Sequence, residues 1–378
     1  MKKFLIPLLF VFVLAQSVAQ PPQTNNSTTN GVIMNLNQNN PGFVLDTTGV
    51  LLKEESAPAM DGETDKNFEE KAVIQQEIKA YKAKKSVVKS NSLSRSASQD
   101  EQLELSNKAV KIKGLAQTQS NIIEADVLYY DAGNYDATRA PQLMEALRLN
   151  PNHPEGNKLW LANSLVTGDT ISATKTLNKL DSLGIIPEAM HCYASDLIKS
   201  VPDQTTLITH GGLDTYSAFQ EQMVKQRFSI DVLSLDLLQS SQYRALLLKK
   251  GYSIPVQSQV DVTYLGDLIR INPQKRFAFS MTIPSAYLLQ FQEDLVPNGL
   301  VFLYPNSYDE EQILLNNEKY LDSFTYMDCG AVPEESISQL KDNYLPMILT
   351  VEALSTDHSK EKQSSIESKK IKIRRKNK

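Results

Sequence analysis

The sequence predicts an α/β protein with an α-helical repeat region. Helix-turn-helix repeats are expected to pack against a mostly parallel α/β layer, after a disordered N-terminal linker. Three observations carry this. Between 119 and 190, apolar residues recur at helical spacing and break at Gly-containing turns. Between 191 and 355, short β-branched runs alternate with helical stripes. Between 20 and 118 the chain is polar, and its aromatic residues are Phe43, Phe68 and Tyr81.

The first nineteen residues read as a secretory signal peptide. Lys2 and Lys3 precede the apolar run from Phe4 to Leu14, which is too short to span a bilayer. Ser17-Val18-Ala19 puts small residues where a signal peptidase needs them, so cleavage is expected before Gln20. No Cys follows that point directly, which argues against a lipoprotein anchor. The expected location is therefore exported, periplasmic or extracellular. The 20–118 stretch includes QPPQTNNSTTN and SNSLSRSASQDEQ, which cannot bury enough apolar surface to offset ordering entropy. Within it, 42–52 can form a short strand or hairpin and 67–85 a charged helix.

From Asn121 the pattern changes. Ala125, Tyr129, Gly133, Tyr135 and Ala137 lie at helical spacings around a turn, followed by Leu143, Ala146, Leu147 and Leu149. Pro141 marks the start of the second helix of this pair. Leu159, Ala162 and Leu165 form the next stripe, Gly168-Asp169 a turn, and Ala173, Leu177 and Leu180 another stripe. Small residues at Ala162 and Ala173 allow two helices to approach closely. GNYDATRAPQLMEALRLNP and LANSLVTGDTISATKTLNKL together resemble the tetratricopeptide repeat, a helical pair with a period near 34 residues. Two such pairs need a further packing partner to be stable. Repeats of this kind imply a partner-binding surface, and the candidate residues are Tyr129, Tyr135 and Trp160. For Trp160, core packing or groove lining is the competing reading.

Residues 191–201 give the next helix. TTLITH (205–210) is strand-like, Tyr216, Phe219, Met223 and Val224 form a helical stripe, and SIDVLSL (229–235) is a second strand. A helix is expected from Leu237 to Leu248, a strand at 275–283, and a short helix from Pro284 to Phe291. GLVFLYP (299–305) is a further strand, and helices follow near 308–323 and 333–354. Residues 356–378 form a basic tail, expected to be disordered. Its Lys369, Lys370, Lys372, Arg374, Arg375, Lys376 and Lys378 can touch anionic lipid or an acidic partner.

Over 191–305, ASDLIKSVPDQTTLITHGGLDTYSAFQEQ, then Arg227-Phe228-Ser229-Ile230-Asp231-Val232, Arg276-Phe277-Ala278-Phe279 and Tyr287-Leu288-Leu289-Gln290, occur in a suggestive order. This module resembles the soluble C-terminal part of a bacterial multispanning membrane family related to protein O-mannosyltransferases. The resemblance covers about a third of the chain. That family's Gly-Asp-Asn-Asp stands here as Gly211-Gly212-Leu213-Asp214, and its membrane-embedded part is absent. The resemblance therefore implies a module that does not transfer sugars by itself.

The candidate ligand-binding residues are His210, Gly211, Gly212, Asp214, Thr215 and Asp236, grouped at expected strand ends. The competing reading makes Asp214 or Thr215 a helix cap, with Ser217 and Gln220 as a capping box and the two glycines as turn residues. The sequence holds no G-x-S-x-G elbow, Walker A or G-x-G-x-x-G pattern. No catalytic residue, cofactor or metal site is assigned. His153, His191, His210 and His358 are scattered, and Cys192 and Cys329 either pair or remain separate thiols. The net charge of −5 argues against a nucleic-acid partner. The expected function is a non-catalytic envelope scaffold that docks a partner protein. The alternative is a carbohydrate- or glycoconjugate-binding accessory of a membrane glycosyltransferase.

Overall fold

The computed structural model describes residues 64–91, 97–257, 259–305, 309–324, 329, 339–354, 364, 366–368 and 370. Among the described residues the protein is mostly helical, with one small mixed sheet of five strands. The expected signal peptide and the 42–52 strand lie outside the described residues. Among the described residues no helix is long and apolar enough to cross a membrane. The chain divides into two units. One is Val44–Ile185 with Asp236–Tyr264; the other is Met1–Phe43, Ile186–Leu235 and Leu265–Lys378.

The helical unit opens with α1 (Thr64–Asn91) and α2 (Gln99–Leu115), where the sequence suggested mainly linker. Ile74, Ile78 and Tyr81 of α1 recur at helical spacing and are buried with Leu105, Ala109 and Ile112 of α2. The same cluster takes in Ala125, Leu128 and Ala132 from α3 (Gln119–Asp131) and its C-terminus. A long-range apolar seam therefore orders a segment whose overall composition is polar. Ser98 and Glu101 form a reciprocal capping box at the start of α2.

A 3-10 turn (Ala137–Arg139) leads into α4 (Ala140–Leu149), with Pro141 in its first turn as expected. α5 (Pro154–Thr167) and α6 (Thr170–Ser182) complete the series. Each helix packs on the next, and α3 also packs on α5. Gly168 closes α5 in the left-handed conformation at φ 74°, and Asp169 caps α6 by accepting from the Ser172 N–H.

In the second unit, α7 (Glu188–Ser200) precedes β1 (Thr205–Thr209), α8 (Leu213–Val224) and β2 (Asp231–Ser234). The next segment, 236–264, belongs to the helical unit. The expected 237–248 helix is there a 3-10 turn (Leu237–Gln239) followed by α9 (Ser241–Lys249). Ser240 ends the turn and caps α9 by accepting from the Tyr243 N–H. α9 packs on α5, and Leu246 lies against Gly168. This supplies the further partner that a short helical stack requires.

The α/β unit resumes at Leu265, within α10 (Val262–Arg270), and continues with β3 (Arg276–Ser280) and α11 (Ser285–Leu288). β4 (Val296–Asn298), β5 (Val301–Tyr304), α12 (Glu310–Ser323) and α13 (Leu345–Leu354) follow. The strand order is β2-β1-β3-β5-β4. β1 runs parallel to β2 and β3, whereas β3–β5 and β4–β5 are antiparallel. The sheet is thus mixed, not mostly parallel. The cause is the β4–β5 hairpin, which turns at Gly299-Leu300 with Gly299 at φ 62°. Pro297 is tolerated because β4 is the edge strand.

Cys192 on α7 and Cys329 form a disulfide, closing the alternative the sequence left open. The tail is not wholly without structure. Ser364, Ile366–Ser368 and Lys370 are helical, Ile366 is buried, and Lys370 pairs with Glu352 of α13 at 2.6 Å.

Candidate functional site

Two places merit a site description, one in each unit. The first lies at the C-terminal ends of β1 and β3. In the order β2-β1-β3, the chain reverses its direction of travel across the sheet beside β1. Open α/β sheets take ligands in the crevice at such a point.

Here the crevice is filled by the protein's own groups. His210, Asp214 and Thr215 are 1 %, 4 % and 3 % exposed. Asp214 Oδ2 accepts from the His210 backbone N–H at 2.9 Å and from the Thr282 hydroxyl at 2.7 Å. Its Oδ1 accepts from the Ser280 hydroxyl at 3.4 Å. Burial pushes the Asp214 carboxyl up to about 6, against the opposing pull of Thr282, the His210 N–H and Ser280.

Neither Asp214 nor Thr215 is the helix cap. α8 begins at Leu213, its cap position is Gly212, and no side chain caps it. Thr215 Oγ1 lies 2.7 Å from Thr209 Oγ1, which donates to the Leu233 carbonyl. The Ser217–Gln220 box does not form, because the Ser217 hydroxyl donates to the Leu213 carbonyl at 2.6 Å. Gly211 and Gly212 take φ of 143° and 58°, so the turn role expected of them holds.

Asp236, the sixth candidate, is engaged within the helical unit. Its carboxylate accepts from the Tyr135 hydroxyl and from the Gln239 side-chain amide, the latter at 2.8 Å. Tyr135 is therefore a strut of that unit. Tyr129 is half-buried, with the Arg139 guanidinium 4.6 Å and the Lys113 ammonium 5.1 Å from its ring centre. Trp160 packs on the cluster of Ile123, Val127, Tyr130, Leu143, Ala146 and Leu159. All three aromatic candidates are half-buried.

The second place is a cleft of about 700 Å³ in the helical unit, a volume typical of ligand sites. α1 contributes Gln75, Ile78 and Lys82; α3 contributes Gln119, Ser120, Asn121, Ile123 and Glu124; the α4–α5 corner contributes Leu149, Asn150 and His153. Glu124 joins the three walls. It pairs with Lys82 at 2.7 Å and with His153 Nε2 at 3.3 Å. The His153 bond, then the Lys82 partner, hold its carboxyl down at about 2 despite partial burial.

His153 also caps α5: its Nδ1 accepts from the Gly156 N–H at 3.0 Å. His153 thus links the start of α5 to the Glu124 carboxylate. No local sequence pattern marks this site, since Lys82, Glu124 and His153 lie on three separate elements. The one available signal was Pro154, which marks a helix start and makes His153 the cap.

Among the described residues, no three His, Cys, Asp or Glu side chains come together as a metal site. Comparison with protein-family models, with curated proteins and with solved structures returns no match.

Proposed function

We propose that this chain is an exported, non-catalytic interaction protein of the cell envelope, whose helical unit docks a partner protein. The observation that carries the reading is the cleft walled by α1, α3 and the α4–α5 corner. It is open, polar and built from helices that the packed seam of Ile74, Tyr81, Leu105 and Ile112 holds in place. The signal-peptide pattern at the N-terminus supports export. The tetratricopeptide-like pattern supports a binding role for the helices. The basic tail adds a peripheral contact for anionic lipid or an acidic partner.

A glycoconjugate-binding role at 210–236 has less support. Asp214 and Thr215 are enclosed, and Asp236 is held by Tyr135 and Gln239. The resemblance to the mannosyltransferase-related module remains a reading of the sequence alone.

Photo-crosslinking tests the proposal. The full mature chain carries a photoreactive residue at Gln119, on the cleft rim, or at Val224, on the other unit. In envelope extracts, Gln119 is expected to trap one protein of defined mass that Val224 does not. Trapping of glycoconjugate alone, or of nothing, removes the reading.

A further inference from the structure

We infer that the cleft binds an extended peptide segment through its backbone, with Gln75 and Asn121 reading the peptide groups. This deepens the interaction reading above and rests on it.

Gln75 Nε2 donates to Asn121 Oδ1 in a long contact of 3.4 Å. Among the described residues, this leaves Gln75 Oε1 as an acceptor and Asn121 Nδ2 as a donor, side by side on facing helices. Asn150 uses its Oδ1 on the Asn152 N–H, and among the described residues its Nδ2 donors remain available at the α4–α5 corner. In an extended chain, one residue presents its N–H and C=O on the same edge, and the next residue presents them on the other. A neighbouring acceptor and donor such as Gln75 Oε1 and Asn121 Nδ2 match one such edge.

The charges point the same way. Lys82 and Glu124 pair at 2.7 Å and offset each other, so this pair leaves no single sign of charge to select an ion. The floor is aliphatic, formed by Ile78, Ile123 and Leu149, and suits a small apolar side chain between two backbone contacts. A sugar ring would find no Phe, Tyr or Trp face among these lining residues.

The test uses the full mature chain and an array of random twelve-residue peptides. The strongest binder is then resynthesised with each backbone amide N-methylated in turn and measured by fluorescence anisotropy. N-methylation at one or two positions is expected to weaken binding by about tenfold or more, the scale of one lost hydrogen bond. Asn121→Leu and Gln75→Leu should each do the same with an unchanged unfolding midpoint, whereas Gln274→Leu in the other unit should not. The N-methyl series needs no variant, so a misfolded variant does not weaken the test. The inference is overturned if no array peptide binds, if N-methylation has no effect, or if only a glycan array is retained. If Gln119 still crosslinks a protein while no peptide binds, the interaction reading survives and the peptide inference does not. If both fail, both are wrong.

Discussion

The Asp214 carboxylate accepts a 2.7 Å hydrogen bond from the Thr282 hydroxyl, 68 residues further along the chain. That bond ties the turn after β1 to the turn after β3. The same carboxylate holds the His210 N–H. One buried acid thus closes the crevice that an open α/β sheet would otherwise offer to a ligand.

Asp214 gives the fold a pH signature. Its carboxyl lies at about 6 in the folded protein, above an ordinary value near 3.8. A raised carboxyl favours the fold below pH 4, and that contribution is lost as pH rises through about 6. The shift corresponds to on the order of 3 kcal/mol. Asp214→Asn keeps an acceptor for His210 and Thr282 and cannot ionise. Urea unfolding from pH 4 to pH 7 should show the variant gaining on the parent by that order as pH rises. A constant difference would mean that Asp214 does not titrate in this range.

His153→Ala removes both a helix cap and a partner of Glu124. The expected cost is about 1–2 kcal/mol, and His153→Asn should restore most of the capping part. Glu124 reports the second loss separately. Its carboxyl, held at about 2, should move toward 4.5 in both variants. Carbon-detected NMR titration of Glu124 checks this.

Gly299 and Gly184 both sit at positive φ, 62° and 66°. A Cβ at Gly184 meets nothing within 4 Å, whereas one at Gly299 would lie 2.8 Å from Ser200 Cβ and closer still to its hydroxyl. Gly184→Ala should therefore cost about 1 kcal/mol, the backbone part alone. Gly299→Ala should cost about 3 kcal/mol, because overpacking adds to it. Ser200 also accepts from the Leu300 N–H, so the side chain is not free to withdraw. Equal urea midpoints for the two variants would contradict this.

Cys192 and Cys329 close a loop with a separation of 137 residues. Reduction, or the double replacement by Ser, should lower stability by about 2–5 kcal/mol. The unfolding temperature with and without a reductant is the measurement. A parent that melts at the same temperature in both would mean that the bridge does not form in solution.

Much of the helical stack was legible. Gly168-Asp169 marked its turn, and Ala162, Ala173, Leu177 and Leu180 fell on the buried faces expected of them. β1, β2, β3 and β5 were legible from their β-branched and aromatic runs. α1 and α2 were not read as core, because Ile74, Ile78 and Tyr81 sit among lysines and glutamates and their packing partners are distant in sequence. α10 was missed although Tyr264, Leu265, Leu268 and Ile269 form a clear buried stripe. β4 was missed because a three-residue strand containing Pro297 has no usable period. Among the site residues, Asp214 was visible as a motif residue, but Thr282 and Ser280 carry no signal that links them to it. Lys82, Glu124 and His153 meet only through tertiary packing, which no local pattern encodes.

The chain passes from one unit to the other after Ile185, after Leu235 and after Tyr264. No single cut therefore releases either unit whole. A gene fragment ending at Ile185 would encode α5 without α9, leaving Gly168 without its Leu246 neighbour. A fragment of the α/β unit would need 236–264 excised and its ends rejoined. The two units are thus bound to be inherited, exchanged or lost together, and recombination at their borders cannot shuffle one without damaging the other.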